Sequence, residues 1–510
     1  MAEASGDNGN AIDFFLDRHV REGRGDSPAF DDGVRTLSYA ALQSATHRFA
    51  SALAAAGIGR ERRVGLLLFD TVDFPVAFWG CLRAGVVPVP INTLLPPDLV
   101  RYILADCRAE AVFVSSGLYP ALAPVLGGVR QVVQVGEGAD AAFLAAGGAI
   151  FETAAAPADE VAFWVYSSGS TGAPKGVRHV HGSLRATADT YAAQVLGIRA
   201  DDVVFSAAKL FFSYGLGNSM TFPMSVGASA ALLPERPTPD AVLAVMRRVR
   251  PTIFYGVPTL YAALLAHPGI GPGAGSDRLR RCVSAGEALP EAVGRRWRER
   301  VGVDILDGIG STEMLHIFLS NRPGDIRYGT TGRAVPGYEL RIVDGAGQDV
   351  ADGESGELLV RGPSSAEGYW NQRDKSRRTF RGEWTHTGDT YARDADGYYR
   401  YGGRSDDMMK VGGIWVSPFE VEEALVSHPA VLEAAVVGHA DADGLIKPRA
   451  FVVLQAHAAD TDPAALREAL KLHVQQKVGV WKYPRWIELV DSLPKTATGK
   501  VQRFKLRAED

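Results

Sequence analysis

The chain has 510 residues, 46% of them hydrophobic, 22% charged and 9% aromatic. This is a soluble globular composition, in a chain too long for one core of roughly 100–200 residues, and it excludes disorder, a coiled coil and a collagen-like repeat. Lys+Arg 54 against Asp+Glu 59 leaves a net charge of −5, so no basic surface advertises nucleic acid or an anionic membrane, and a polyanionic ligand needs a local cluster. The widely spaced Cys81, Cys107 and Cys282 form no CxxC or Cys/His array. A disulfide framework or zinc site is therefore not expected, and a reducing cytoplasm is. The opening MAEASGDNGN lacks the basic and apolar regions of a signal peptide. The most apolar stretch, residues 76–95, is interrupted by Arg83, Asn92, prolines and glycines, so no segment is expected to span a membrane.

From Ile12 to about residue 400, short β-branched runs alternate with Ala-rich helical stretches. RRVGLLLF (62–69), AEAVFVSS (109–116) and DEVAFWVYSS (159–168) read as strands, and residues 37–57 as a helix ended by Gly57. The alternation predicts α/β layers with parallel-rich sheets. After Gly332 the texture changes to short strands between Gly/Asp/Pro turns, a smaller β-rich lobe. GGRSDD (402–407) has the composition of an exposed joint. Beyond it, Ser417-Pro418-Phe419-Glu420 is a capping box with proline at the first helical position. A helix to about Ser427, strands at AVLEAAVVG and RAFVVLQ, a helix at 463–477 and a strand at RWIELVD follow. Together they make a compact α+β unit of roughly 100 residues that could fold separately.

Five short segments carry chemistry. Ser167-Ser168-Gly169-Ser170-Thr171-Gly172-Ala173-Pro174-Lys175-Gly176 follows the apolar run VAFWVY. Its glycines let the backbone wrap so that N–H groups and hydroxyls face phosphate oxygens, with Lys175 supplying charge. The GxxxxGK[ST] spacing of a Walker loop is absent. Gly310-Ser311-Thr312-Glu313 ends an apolar strand, where a carboxylate beside a hydroxyl suits a magnesium ion carried in with a nucleotide. Thr387-Gly388-Asp389 reads as a tight turn whose carboxylate can accept from both ribose hydroxyls. Gly403-Arg404-Ser405-Asp406-Asp407 lies at the joint, and Pro494-Lys495-Thr496-Ala497-Thr498-Gly499-Lys500 near the C-terminus. His179 and His181 form an H-x-H with no third ligand nearby in sequence, and read as structural.

In this order the segments resemble those of the adenylate-forming enzymes: acyl-CoA synthetases, aryl-CoA ligases, luciferases and peptide-synthetase adenylation domains. The resemblance covers nearly the whole chain. It implies an adenylation domain over 1–403, a hinge at 404–406 and a mobile C-terminal domain over 407–510. It implies that Ser167, Ser168, Gly169, Ser170, Thr171, Gly172 and Lys175 hold ATP phosphates, and that Thr312 approaches the α-phosphate. Glu313 would bind Mg2+, with Thr171 on the metal side. Asp389 and Arg404 would hold the ribose and phosphate, and Asp406 would be the pivot. Lys500 would enter the site to offset repulsion between an attacking carboxylate and the α-phosphate. Coenzyme A would arrive by a tunnel bordered by Gly412 and Gly413.

For the substrate, residues 209–218 (KLFFSYGLGN) and the run Ser-Thr-Glu-Met-Leu-His316 are similar to benzoate-CoA ligases. There Phe212, Ser213, Tyr214, Gly310 and His316 would enclose an aryl acid. Ser213 stands where that subfamily has Ala, and its hydroxyl could bond an amino or hydroxyl substituent. The implied activity is ligation of benzoate or a substituted benzoate to CoA through an aryl-AMP, with ATP, Mg2+ and CoA as cofactors and no nucleic acid or membrane partner. Loading of a carrier-protein thiol is the alternative acceptor, and a homodimer is an open expectation. A nucleotide-binding protein without catalysis would be expected to lack Lys500, Glu313 or the phosphate loop.

Overall fold

The computed structural model describes residues 9–167, 173–405, 407–411, 414–441, 444–458, 461–479, 481–495 and 501–507. Its largest sheet has nine strands, in the spatial order Arg333–Ala334, Ile317–Ser320, Ile305–Gly310, Arg281–Ser284, Ile253–Gly256, Val203–Ser206, Ser229–Ala231, Pro28–Asp31 and Thr36–Ser38. The run from Ile305–Gly310 to Pro28–Asp31 is parallel, and antiparallel strands close both edges. Ile253–Gly256 is buried throughout, as parallel strands covered on both faces require. A second, fully parallel sheet orders Val87–Pro90, Arg63–Leu67, Ala111–Ser115 and Gln131–Val135. A three-stranded antiparallel sheet joins Val161–Ser167, Lys175–Val180 and Gly368–Tyr369.

The expected texture change past Gly332 is present. Glu339–Val343, Ser355–Arg361, Trp384–Arg393, Phe380–Arg381 and Tyr399–Arg404 make an antiparallel sheet. The C-terminal part builds its own sheet from Val431–Ala440, Ile446–Leu454 and Trp486–Leu489, packed with the helices Pro418–Val426 and Pro463–Val478. Among the described residues no helix is long and apolar enough to cross a membrane.

Local chemistry sets several boundaries. Ser38 caps the helix Tyr39–Ala55, its hydroxyl accepting from Ala41 N, and Gly57 beyond it has φ +71°. Ser417 caps Pro418–Val426 by accepting from Glu420 N at 3.3 Å. The Glu420 carboxylate accepts from Lys482 Nζ at 2.7 and 2.8 Å. Cys81, Cys107 and Cys282 are buried free thiols.

Four buried imidazoles tie acid stability to pH. Burial pushes His19, His179 and His181 down to about 4 and His316 to about 3. The folded chain therefore refuses protons that the unfolded chain takes up below about pH 6.5. Their stabilising effect is complete above that pH and is lost as pH falls toward the folded values. The melting temperature is expected to drop steadily from about pH 7 to about pH 5. A flat profile over that interval would contradict the burial of these rings in neutral form.

Candidate active site

The site forms where parallel strands of the large sheet end, the side on which open α/β sheets bind ligands. Val203–Ser206 leads into residues 209–214, Arg281–Ser284 into Glu287, and Ile305–Gly310 into residues 311–316.

The metal-and-phosphate end is a tight triad. Lys175 Nζ donates to Tyr369 Oη at 2.8 Å and lies 3.2 Å from Glu313 Oε1. Tyr369 Oη donates to the same carboxylate oxygen at 2.7 Å. The ammonium also lies 4.1 Å from the Tyr369 ring centroid. Burial alone would raise the Glu313 carboxyl, but Lys175 and the Tyr369 hydrogen bond outweigh it and hold the group below its usual range. Glu313 is thus an ionised, half-buried carboxylate with an ammonium against it. That fits Mg2+ brought in with phosphate oxygens, since the ion takes one or two carboxylates and fills its shell from phosphate and water. Among the described residues no group of three or more His, Cys, Asp or Glu could hold a metal by itself.

His179 packs beside this triad. Its Nε2 lies 2.7 Å from the Thr312 carbonyl, and its ring stacks on Phe163, centroids 5.4 Å apart, in the strand leading to the phosphate loop. His181 Nδ1 accepts from Ala11 N at 3.2 Å. His179 Nδ1 is buried without a partner.

The segment Thr387-Gly388-Asp389 departs from expectation in one respect. It is no free turn but lies inside the strand Trp384–Arg393, paired on both sides. Gly388 has φ +69°, and a Cβ there would sit 2.8 Å from Arg404 Nη2. Glycine is needed both for the left-handed kink and for the guanidinium's approach. Arg404, in register with Asp389, lies 3.2 Å from its carboxylate and donates to Thr387 O at 3.0 Å. Thr387 Oγ1 donates to Leu358 O at 2.7 Å and accepts from Asp389 N at 3.1 Å, so the carboxylate is held from its own backbone outward.

The aromatic end is built on His316. Its ring lies 5.5 Å from Tyr214, 5.5 Å from Tyr191 and 4.4 Å from Phe222. Nε2 lies 3.1 Å from Asn218 Oδ1, while Nδ1 is buried without a partner. A Cβ on Gly310 would fall 2.4 Å from the His316 carbonyl, so the chain can reverse there only on glycine. Tyr214 Oη reaches Gly256 O at 3.2 Å, fixing its ring against a strand end. Phe212 and Ser213 are half-buried, and the Ser213 hydroxyl makes no hydrogen bond to any described residue.

Ser168, Gly169, Ser170, Thr171, Gly172, Asp406, Gly412, Gly413 and Lys500 lie outside the described residues. Their neighbours are described. The buried Ser167 Oγ, last before the phosphate loop, has no partner. Val501 N, next to Lys500, donates to Glu287 Oε1 at 3.1 Å. Tyr369 and Asp307 escape sequence reasoning. Asp307, opposite Ser284 in the large sheet, is buried with Oδ1 unpartnered, as is Ser284 Oγ. Burial raises its carboxyl well above the usual range. Unpaired polar groups at the ligand-binding end of a sheet are places for ligand hydrogen bonds.

The family model described as AMP-binding enzyme matches residues 16–370, and its C-terminal-domain model matches residues 420–500. The chain belongs to the AMP-binding enzymes. This AMP-binding enzyme is 55% identical to a 4-hydroxybenzoate–CoA/benzoate–CoA ligase of Rhodopseudomonas palustris, over 98% of this chain and 94% of that protein. Its fold superposes on a benzoate CoA ligase from Burkholderia xenovorans LB400 with a TM-score of 0.92 and 50% identity, covering 98% and 99% of the two chains. The anthranilate CoA ligase AuaEII, solved with anthranoyl-AMP, also gives 0.92, at 43% identity over 98% and 96%.

Proposed function

We propose that this AMP-binding enzyme is an AMP-forming aryl-acid:CoA ligase acting on benzoate or a ring-substituted benzoate, in the cytoplasm, alone or as a homodimer. One observation carries the reading. The short run from Gly310 to His316 sets Glu313 against Lys175 on one side and His316 against Tyr214 on the other. A phosphate-and-metal end and an aromatic end therefore meet on one turn, as a reaction between an aryl carboxylate and a nucleotide phosphate requires.

The acid's carboxylate oxygen attacks the α-phosphorus of ATP. The new O–P bond gives the aryl-AMP, and the bond to pyrophosphate breaks with its electron pair leaving on pyrophosphate. This chemistry depends on positioning and charge neutralisation rather than on an activated side-chain nucleophile. Mg2+, when bound, supplies charge neutralisation on the phosphates. Glu313 would hold that ion, and Lys175, now paired with Glu313 and Tyr369, would lend its charge to phosphate oxygens. Asp389, held by Thr387 and Arg404, orients the ribose. His316 is neutral through the whole working range, so it acts as a hydrogen-bonding wall and carries no charge. The CoA thiol then attacks the acyl carbon, and AMP leaves as the thioester forms.

The choice of acid follows from the pocket wall and the relatives. Phe212, Tyr214 and His316 offer flat faces and edges to a benzene ring. The unengaged Ser213 hydroxyl suits a ring hydroxyl or amino group. Higher identity to the benzoate and 4-hydroxybenzoate ligase than to the anthranilate ligase favours the first two acids.

The test is AMP release from ATP, Mg2+ and CoA, with products identified by mass, across benzoate, 4-hydroxybenzoate, 2-aminobenzoate and a medium-chain fatty acid. Benzoyl-CoA or 4-hydroxybenzoyl-CoA is the expected product. Pyrophosphate exchange without thioester would move the acceptor to a carrier protein. Turnover of the fatty acid alone would end the aryl-pocket reading.

A further inference from the structure

Both flanks of residues 496–500 are pinned. On the upstream side, Lys495 Nζ pairs with Glu433 at 2.7 Å. Lys495 and Val501 then form an antiparallel bridge, and Gln502 N donates to Pro494 O at 2.8 Å. Residues 494–495 and 501–502 are thus held side by side. Downstream, Arg503 makes a fork to Glu422, Nη2 lying 2.8 and 2.7 Å from the two carboxylate oxygens. Glu422, only 8% exposed, also accepts from Val436 N at 2.7 Å. One buried carboxylate therefore joins the helix Pro418–Val426, the strand Val431–Ala440 and the C-terminal arm. Leu506 buries the rest of the arm against Ala435, Val437 and Phe451. Arg507 donates to Asp407, beside the joint, and Arg503 Nη1 lies 3.9 Å from the same residue.

We infer that Glu422 and Arg503 are positioning residues for the adenylation half-reaction, fixing the arm from which Lys500 acts. The inference rests on reading Lys500 as the adenylation lysine. The Glu422–Arg503 pair is internal to the C-terminal part, so it moves with that part as a unit. What it sets is the height at which Val501 meets Glu287, in the loop that follows the strand Arg281–Ser284. A rigid planar fork suits this task better than a flexible ammonium. Loss of position by about 1 Å costs about 10²-fold in rate, while a step that does not use Lys500 is spared.

The test measures two reactions on full-length Arg503→Ala, Arg503→Lys, Glu422→Gln and Lys500→Ala. These are benzoate-dependent pyrophosphate exchange, and benzoyl-CoA formation from synthetic benzoyl-AMP. Arg503→Ala and Glu422→Gln are expected to lose at least ~10-fold in exchange and to stay within ~2-fold in thioester formation, with Arg503→Lys between them and wild type. Arg507 still holds Asp407 in these variants. Arg503→Ala leaves a buried carboxylate unpaired, so the double variant Glu422→Leu with Arg503→Leu, which strands no charge, repeats the test. Equal loss in both reactions, or none in exchange, overturns the inference. If Lys500→Ala itself slows both reactions alike, the reading of Lys500 falls and the inference with it. A selective Lys500→Ala defect without an Arg503 defect overturns the inference alone.

Discussion

Lys500→Ala is expected to slow aryl-adenylate formation by at least ~10²-fold, the cost of losing one preorganised donor in the transition state. Attack of a carboxylate on a phosphate brings like charges together, and Lys175 is engaged at the metal end through Glu313 and Tyr369. A second cation is needed where the acid's oxygen approaches, and the C-terminal arm meets Glu287, in the loop after the strand Arg281–Ser284, through Val501 N. Thioester formation from supplied benzoyl-AMP involves no such repulsion, because a neutral thioester replaces an acyl phosphate. That reaction should stay within about 2-fold of wild type, well inside the spread of single-contact effects. Single-turnover measurements of both steps decide the matter. Equal damage to both would contradict a role for Lys500 confined to adenylation.

What the sequence made legible is local. The strand-end Thr-Glu and the capped helices are short-range patterns, and Ser38 and Ser417 cap the helices they precede. Where the reading stopped, the cause was distance or competition. Tyr369 meets Lys175 across 194 residues, through the pairing of Gly368–Tyr369 with Lys175–Val180. No local pattern marks that. Asp307 differs from an ordinary strand residue only through burial and its missing partner, which are tertiary facts. The Thr-Gly-Asp sequence has turn chemistry, yet the left-handed Gly388 is absorbed as an irregularity between two neighbouring strands. At Ser417, only half the expected box forms, because Lys482 takes the Glu420 carboxylate. The expected joint at residues 402–407 begins inside the strand Tyr399–Arg404, where pairing to Asp389 orders Arg404.

Glu313→Gln is expected to reduce kcat/KM for Mg·ATP by about 10²-fold, with a rise in the Mg2+ concentration that gives half-maximal rate. The substitution keeps the size and one acceptor of the side chain, so Ala366 N still donates to the residue 313 carbonyl and the turn persists. It removes the charge that Lys175 and Tyr369 surround. Two consequences separate metal binding from simple pairing. If Glu313 only neutralised Lys175, freeing that ammonium would leave it available to phosphate, and ATP affinity would hold or improve. If Glu313 carries the metal, the free ammonium cannot replace a divalent charge, and the rate falls even at saturating ATP. Lys175→Ala should weaken ATP binding while leaving the Mg2+ dependence near that of wild type, because the carboxylate remains. Titrating Mg2+ at fixed, saturating ATP for both variants distinguishes the roles. An unchanged Mg2+ midpoint in Glu313→Gln would remove the residue from the metal site and leave it as the counterion of Lys175.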